Sequence, residues 1–128
     1  MLISEKVETT SPMAAKKYSI LVVDDHQLFR EGLSQMINRE SDLEVCAEAA
    51  DTASALEAMK SHKPDLAIID ISLAGSNGID LIKQIRAADT ETPILVLSMH
   101  DESLYAERAL RSGANGYIMK QEANKKVR

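Results

Sequence analysis

The chain has 128 residues, 45% hydrophobic and 27% charged, the make-up of one globular domain large enough to bury a core. Its net charge of −5 argues against general binding to polyanions, and 3% aromatic residues are too few for a base-stacking platform. No apolar run approaches the roughly 18 residues of a membrane span, and MLISEKVETTSPMAAKKYS lacks the charged-then-apolar order of a signal peptide, so a cytoplasmic location is expected.

Residues 1–17 are polar, contain Pro12 and show no period, which predicts a loose tail. From Tyr18 onward, short apolar runs alternate with amphipathic stretches. YSILVV reads as a strand, and HQLFREGLSQMINRE as a helix with Leu28, Leu33, Met36 and Ile37 at helical spacing. LEVCAEA is a second strand, in which Cys46, the single cysteine, reads as a small buried hydrophobe in a reducing compartment. TASALEAMKSH is a helix with Asp51 as its cap. DLAIID is an apolar strand announced by Pro64, and GIDLIKQIRAA a helix with Ile79, Leu81, Ile82 and Ile85 on one side. PILVLS is the fourth strand, ESLYAERALRSG a helix closed by Gly113, and GYIM a short fifth strand. Continuous Val/Ile/Leu strands alternating with helices predict an α/β fold, a doubly wound parallel sheet covered on both faces.

In such sheets ligands gather beyond the carboxyl ends of the strands. Strand one ends in Asp24 and Asp25, strand three in Asp70, strand four in Ser98 and strand five in Lys120. Carboxylates sharing a small cleft repel one another, and a hard divalent cation such as Mg²⁺ relieves the repulsion through oxygen ligands. An acidic pocket with one compact ammonium and one hydroxyl suits a phosphoryl group bound together with Mg²⁺. Taken alone, each feature has a plainer meaning: the acid pair a solvated turn, Tyr117 a packed strand residue, His62 a surface residue. His26 is read as opening the first helix rather than as a transition-metal ligand beside Asp25.

VVDD after strand one, IIDISLAGSNG around Asp70, VLS after strand four and GYIMK at strand five, in this order, resemble the receiver domain of bacterial two-component response regulators. The opening DDHQLFREGL and closing GANGYIMK are most similar to the NarL/FixJ subfamily, whose members usually continue into a LuxR-type helix-turn-helix domain. The resemblance covers residues 18–122 and implies a flavodoxin-like, five-stranded sheet of order 2-1-3-4-5. Asp70 would accept a phosphoryl group from a sensor histidine kinase. Asp25 would bind Mg²⁺ directly, Asp24 mainly through water, and the backbone carbonyl of Ser72 would complete the protein's share of the metal shell. Ser98 and Lys120 would hold the phosphoryl oxygens, and Tyr117 would turn inward when Ser98 moves, reshaping a partner surface.

Departures from the family pattern are Ala74 where Pro is frequent, with Gly75, Asn77 and Gly78 holding the turn, and Gln121 after Lys120; Ser72 and His100 are expected to tune phosphoryl lifetime. Residues 123–128 are read as a stub of the last helix or a linker, with a DNA-binding output domain absent. That reading predicts exposed apolar surface and self-association as a homodimer or swapped oligomer. The expected function is a phosphorylation-dependent switch regulating transcription, with only self-phosphorylation and self-dephosphorylation chemistry and therefore no enzyme in the turnover sense. A stand-alone adapter receiver is the first alternative. An aspartate-nucleophile phosphatase of the haloacid dehalogenase type is the weaker one, since D-D-H stands where such enzymes have D-x-D and the chain is short for a substrate cap.

Overall fold

The computed structural model describes residues 17–71, 78–98 and 103–120, with the side chains of 103–105 left aside. Residues 1–16 of the tail expected over 1–17, the turn with Ser72, Ala74, Gly75 and Asn77, His100, Gln121 and the stub at 123–128 lie outside the described residues. In chain order the elements are β1 (Tyr18–Val23), α1 (Gln27–Arg39), β2 (Leu43–Ala49), α2 (Thr52–His62), β3 (Leu66–Asp70), α3 (Gly78–Ala88), β4 (Ile94–Ser98), α4 (Ser103–Ser112) and β5 (Gly116–Met119). All four strand pairings are parallel and the sheet runs β2-β1-β3-β4-β5, the expected 2-1-3-4-5 order. Among the described residues no helix is long and apolar enough to cross a membrane.

Alternation along each strand divides the core in two. Leu21, Val23, Ala67, Ile69, Ile94 and Val96 face α2, α3 and α4, where Ala55, Ile82 and Ala109 meet them. Ile20, Val22, Ile68 and Leu97 face α1 and pack on Leu33 and Ile37. Strand segments buried on both faces must be apolar, which is why residues 20–23, 66–69 and 94–97 are unbroken aliphatic runs. The edge strand β2 is different. Its register against β1 shifts so that Ile20 pairs with Val45 but Leu21 with Ala47, leaving Cys46 as the extra residue of a bulge. The bulge turns the strand over: Leu43 and Val45 pack on the α1 side, Ala47 and Ala49 on the other.

The stripe expected on α1 needs one correction. Leu33 and Ile37 are buried and Met36 half-buried, but Leu28 is 87% exposed. Five residues before Leu33, it stands about 140° around the helix from the core-facing line. Phe29, one position on, packs against the α1-side core instead. Cys46 is half-buried rather than fully buried, its thiol near the Ile20 carbonyl at 3.6 Å and its pKa pushed up chiefly by burial.

Two fixtures hold the ends of the sheet. At the carboxyl end, Gly78 begins α3 against β3: its N–H donates to the Ile71 carbonyl at 2.8 Å, and an added Cβ would lie 2.5 Å from the Asp70 carbonyl oxygen. At the opposite end, the Arg86 guanidinium donates to the Gly113 carbonyl through Nε (3.0 Å) and Nη2 (2.9 Å), to the Asp89 carbonyl (3.1 Å) and to Asn115 Oδ1 (3.0 Å). Asn115 in turn accepts from the Ile94 N–H at 2.8 Å, so the ends of α3 and α4 and the starts of β4 and β5 are tied at one point. Gly113 has φ +125°, and a Cβ there would meet Arg86 Cγ at 2.6 Å.

Side-chain carboxylates close two loops. Asp51 caps α2 by accepting from Ser54 N–H (2.8 Å) and Ser54 Oγ (2.7 Å). Asp89 accepts from Thr92 Oγ1 and from the N–H groups of Thr92 (3.0 Å) and Glu91 (2.9 Å). The Ser54 hydroxyl for Asp51 and the Thr92 hydroxyl for Asp89 lead the causes that lower their pKa values. A depressed carboxylate pKa favours the fold above the unfolded value of about 3.9, and that contribution disappears as pH falls through the folded value. Carboxyl NMR titration should therefore place both midpoints below that of an unstructured Asp, and Asp89→Asn should flatten the acid-side decline of stability. Gly78→Ala should lower the unfolding free energy by about 1–3 kcal/mol in urea titrations, because backbone cannot yield to the new methyl group.

Candidate functional site

The alternation that builds the core also aims the site. Asp24 continues the set of Ile20 and Val22, Asp70 that of Leu66 and Ile68, and Lys120 that of Ile118, so all three follow the α1-facing series. Ser98 belongs to the other series, with Ile94 and Val96, as does Tyr117, whose half-buried ring packs against the core under α4. Asp24 and Asp70 are fully buried, with Ser98 and Lys120 nearly so at 1% and 7% exposure. Four polar side chains at that depth, all at the carboxyl edge, are the reverse of what an apolar sheet would place there without a use for them.

Lys120 is the hub. Its Nζ lies 2.8 Å from Asp24 Oδ2, an ion pair without hydrogen-bond alignment, and 3.5 Å from Asp70 Oδ2. Its stem runs across the α1 side, with Nζ 4.6 Å from the centre of the Phe29 ring. Asp24 Oδ1 accepts from the His26 backbone N–H at 2.8 Å, and the Asp24 carbonyl accepts from Arg30 Nη1 at 2.6 Å. Arg30 is itself braced by Glu48 of β2 at 2.9 Å. The first turn of α1 and the neighbouring strand thus fix the backbone that carries the acid pair.

Two carboxylate oxygens in the group are buried without a hydrogen-bond partner: Asp24 Oδ2, which faces the Lys120 ammonium, and Asp25 Oδ1, on a side chain 25% exposed. Oxygens of Asp24, Asp25 and Asp70 and a nitrogen of His26 all fall within 4.8 Å of one another. Three carboxylates against one ammonium leave an excess of negative charge in a desolvated cleft. An oxygen-rich donor set with two buried oxygens that lack hydrogen bonds fits a hard divalent cation such as Mg²⁺. The residues expected to hold it are brought together, except that Ser72 lies outside the described residues.

His26, weighed in the sequence as a metal ligand beside Asp25 and read instead as the helix start, joins the cluster. It does stand at the N-cap of α1, but its side chain makes no capping bond. The ring turns toward the carboxylates, with Nδ1 3.1 Å from Asp24 Oδ1 and 2.8 Å from Lys120 Nζ. The signal in the sequence was its place directly after the acid pair.

The family model for the response regulator receiver domain matches residues 20–128. The transcriptional regulatory protein DegU of Brevibacillus brevis is 35% identical over 105 residues, covering 82% of this chain and 44% of DegU. The oxygen regulatory protein NreC of Staphylococcus haemolyticus is 38% identical over 109 residues, covering 84% of this chain and 50% of NreC. The chain spans about half the length of the curated relatives it matches. Among solved structures, the signal receiver domain of NarL from Mycobacterium tuberculosis superposes with a TM-score of 0.82 at 35% identity, covering 88% of this chain and 90% of that one. A chain that matches this family from Ile20 onward, and whose fold superposes on nearly all of a solved member, belongs to the receiver domains of two-component response regulators, in the company of the NarL, NreC and DegU regulators.

Proposed function

We propose that the chain is a phosphorylation-dependent switch in which Asp70 takes a phosphoryl group from the phosphohistidine of a sensor kinase. The observation that carries this reading is a fully buried Asp70 carboxylate at the sheet's carboxyl edge, 3.5 Å from the Lys120 ammonium and grouped with Asp24 and Asp25. In the transfer, an Asp70 oxygen forms the new P–O bond as the P–N bond to the kinase imidazole breaks. The imidazole leaves with the electron pair and takes up a proton. Asp24, Asp25 and Asp70, with the Ser72 carbonyl, would hold Mg²⁺, which when bound offsets the negative charge of the phosphoryl oxygens.

The protein's own part is positioning. Lys120 neutralises charge on the side facing β5, and its move from Asp24 to a phosphoryl oxygen is a short swing of a flexible stem. Ser98 would donate to another phosphoryl oxygen. Because Ser98 and Tyr117 belong to the same alternation series on adjacent strands, a shift of Ser98 is read by the α4–β5 face through Tyr117. The chain is then a phosphoacceptor, with no chemistry beyond gaining and losing its own phosphoryl group. DegU is named a transcriptional regulatory protein, and the surface so altered would act on transcription through a DNA-binding unit of the whole protein.

Intact-mass spectrometry after incubation with acetyl phosphate and Mg²⁺ should show a single phosphoryl adduct. The adduct should vanish with EDTA and with Asp70→Asn, and an unmodified wild type would count against the switch. Asp25→Asn should weaken Mg²⁺ binding about tenfold or more in titration calorimetry, since it removes a charged ligand from the set.

A further inference from the structure

An all-oxygen pocket is not what this chain builds. His26 Nδ1 lies 3.1 Å from Asp24 Oδ1, 3.4 Å from Asp25 Oδ1 and 3.7 Å from Asp70 Oδ2. Metal–donor bonds of about 2.1 Å set neighbouring donors about 3.0 Å apart in an octahedron and about 3.4 Å apart in a tetrahedron. Taken as one polyhedron, the three spacings lie within about 0.3 Å of the tetrahedral edge, and an octahedron needs the two longer ones to close by about 0.4 and 0.7 Å. The imidazole nitrogen is therefore placed as a fourth corner on the carboxylates, and not as a bystander at the rim.

Nδ1 lies between a group that only donates, Lys120 Nζ at 2.8 Å, and one that only accepts, Asp24 Oδ1 at 3.1 Å; with the ring proton on Nε2 it accepts from the ammonium. The Nδ1 lone pair then points at a positive charge, and that charge is also drawn to Asp24 Oδ2 at 2.8 Å and Asp70 Oδ2 at 3.5 Å. In this arrangement the ammonium marks where the protein stabilises a cation, and the imidazole nitrogen belongs to the ring of donors around it. The His26 side chain is 52% exposed, which leaves it an open path to incoming ions.

We infer that His26 Nδ1 is a ligand to the cation of this site, together with Asp24, Asp25 and Asp70, and gives the site a preference for borderline transition ions over Mg²⁺. Imidazole suits Mn²⁺, Co²⁺, Ni²⁺ and Zn²⁺, whereas Mg²⁺ favours oxygen and retained water. The preference exceeds the one that carboxylates alone confer, and it resides in a single side chain. This inference rests on reading the three carboxylates as a cation site, and it adds to that reading the identity of the ions admitted.

Titration calorimetry with Mg²⁺ alone and with Ni²⁺ alone, on wild type, His26→Ala and His26→Gln, tests it. Loss of the imidazole should weaken Ni²⁺ about tenfold or more and Mg²⁺ by less than about threefold, so that the ratio of the two affinities collapses. On the unaltered chain, ¹⁵N NMR of the histidine rings with Zn²⁺ should show the Nδ1 resonance of His26 moving, while His62 serves as the unmoved internal reference. Equal weakening of both ions, or an unmoved His26 Nδ1 with Zn²⁺ bound, overturns the inference. The phosphoryl adduct formed with Mg²⁺ separates this from the switch itself. An intact adduct with an indifferent His26 ends only the nitrogen ligand, and a coordinating His26 without an adduct ends only the switch. A chain that binds neither ion removes the cation site and this inference with it.

Discussion

Two carboxylates without solvent, Asp24 and Asp70, stand side by side at the end of an otherwise apolar sheet, and the architecture around them answers to that charge. A desolvated carboxylate costs several kcal/mol unless something positive or hydrogen-bonding faces it. The strand order makes the problem acute, because β1 and β3 are neighbours at the centre. It also makes the remedy demanding. Lys120 follows β5, two strands from β3 and three from β1, and parallel strands are about 4.8 Å apart. A short side chain could not cover that span. The long lysine stem, its ammonium over Phe29 on the α1 side, brings the charge to 2.8 Å from Asp24 Oδ2 and 3.5 Å from Asp70 Oδ2, with the carboxylates meeting it from their own strands.

The support around the acid pair is equally particular. Arg30 holds the Asp24 carbonyl from the first turn of α1, and Glu48 holds Arg30 from β2. Glu48 reaches α1 because of the bulge at Cys46. Without the extra residue, an even-numbered position in β2 would stand on the opposite side from Leu43 and Val45 throughout. With it, Glu48 comes round to the face that α1 covers, while Ala47 and Ala49 take the α2 side with small side chains. One irregular residue in an edge strand thus serves both the packing of two helices and the posture of the site.

Most of this was legible before any coordinates. The strands could be read because residues 20–23, 66–69 and 94–97 include no polar residue until Asp24, Asp70 and Ser98 follow them. The ends of the strands were for the same reason the place to look for chemistry, and they led to Asp24, Asp25, Asp70, Ser98 and Lys120. What could not be read depended on direction within an element. Leu28 and Phe29 are both apolar and adjacent, and only the phase of the helix decides which is buried. The bulge at Cys46 leaves the alternation of LEVCAEA looking perfect while reversing its sense halfway. His26 has the sequence context of a helix start, and its side-chain orientation is a matter of one rotamer. Arg86 on an amphipathic helix looks like any solvated arginine, since nothing in its neighbourhood along the chain reveals Gly113 and Asn115.

That arginine gives α4 a fulcrum. The last residues of the helix are pinned through the Gly113 carbonyl to the end of α3, and through Asn115 to the first residue of β4. Its first residues lie toward the carboxyl edge of the sheet, about 15 Å away at 1.5 Å per residue. A helix fastened at one end behaves as a lever arm: a tilt of a few degrees leaves the clasp in place and sweeps the free end by about an ångström. The clasp thus sits at the floor of the sheet, at the end of α4 remote from the acid cluster.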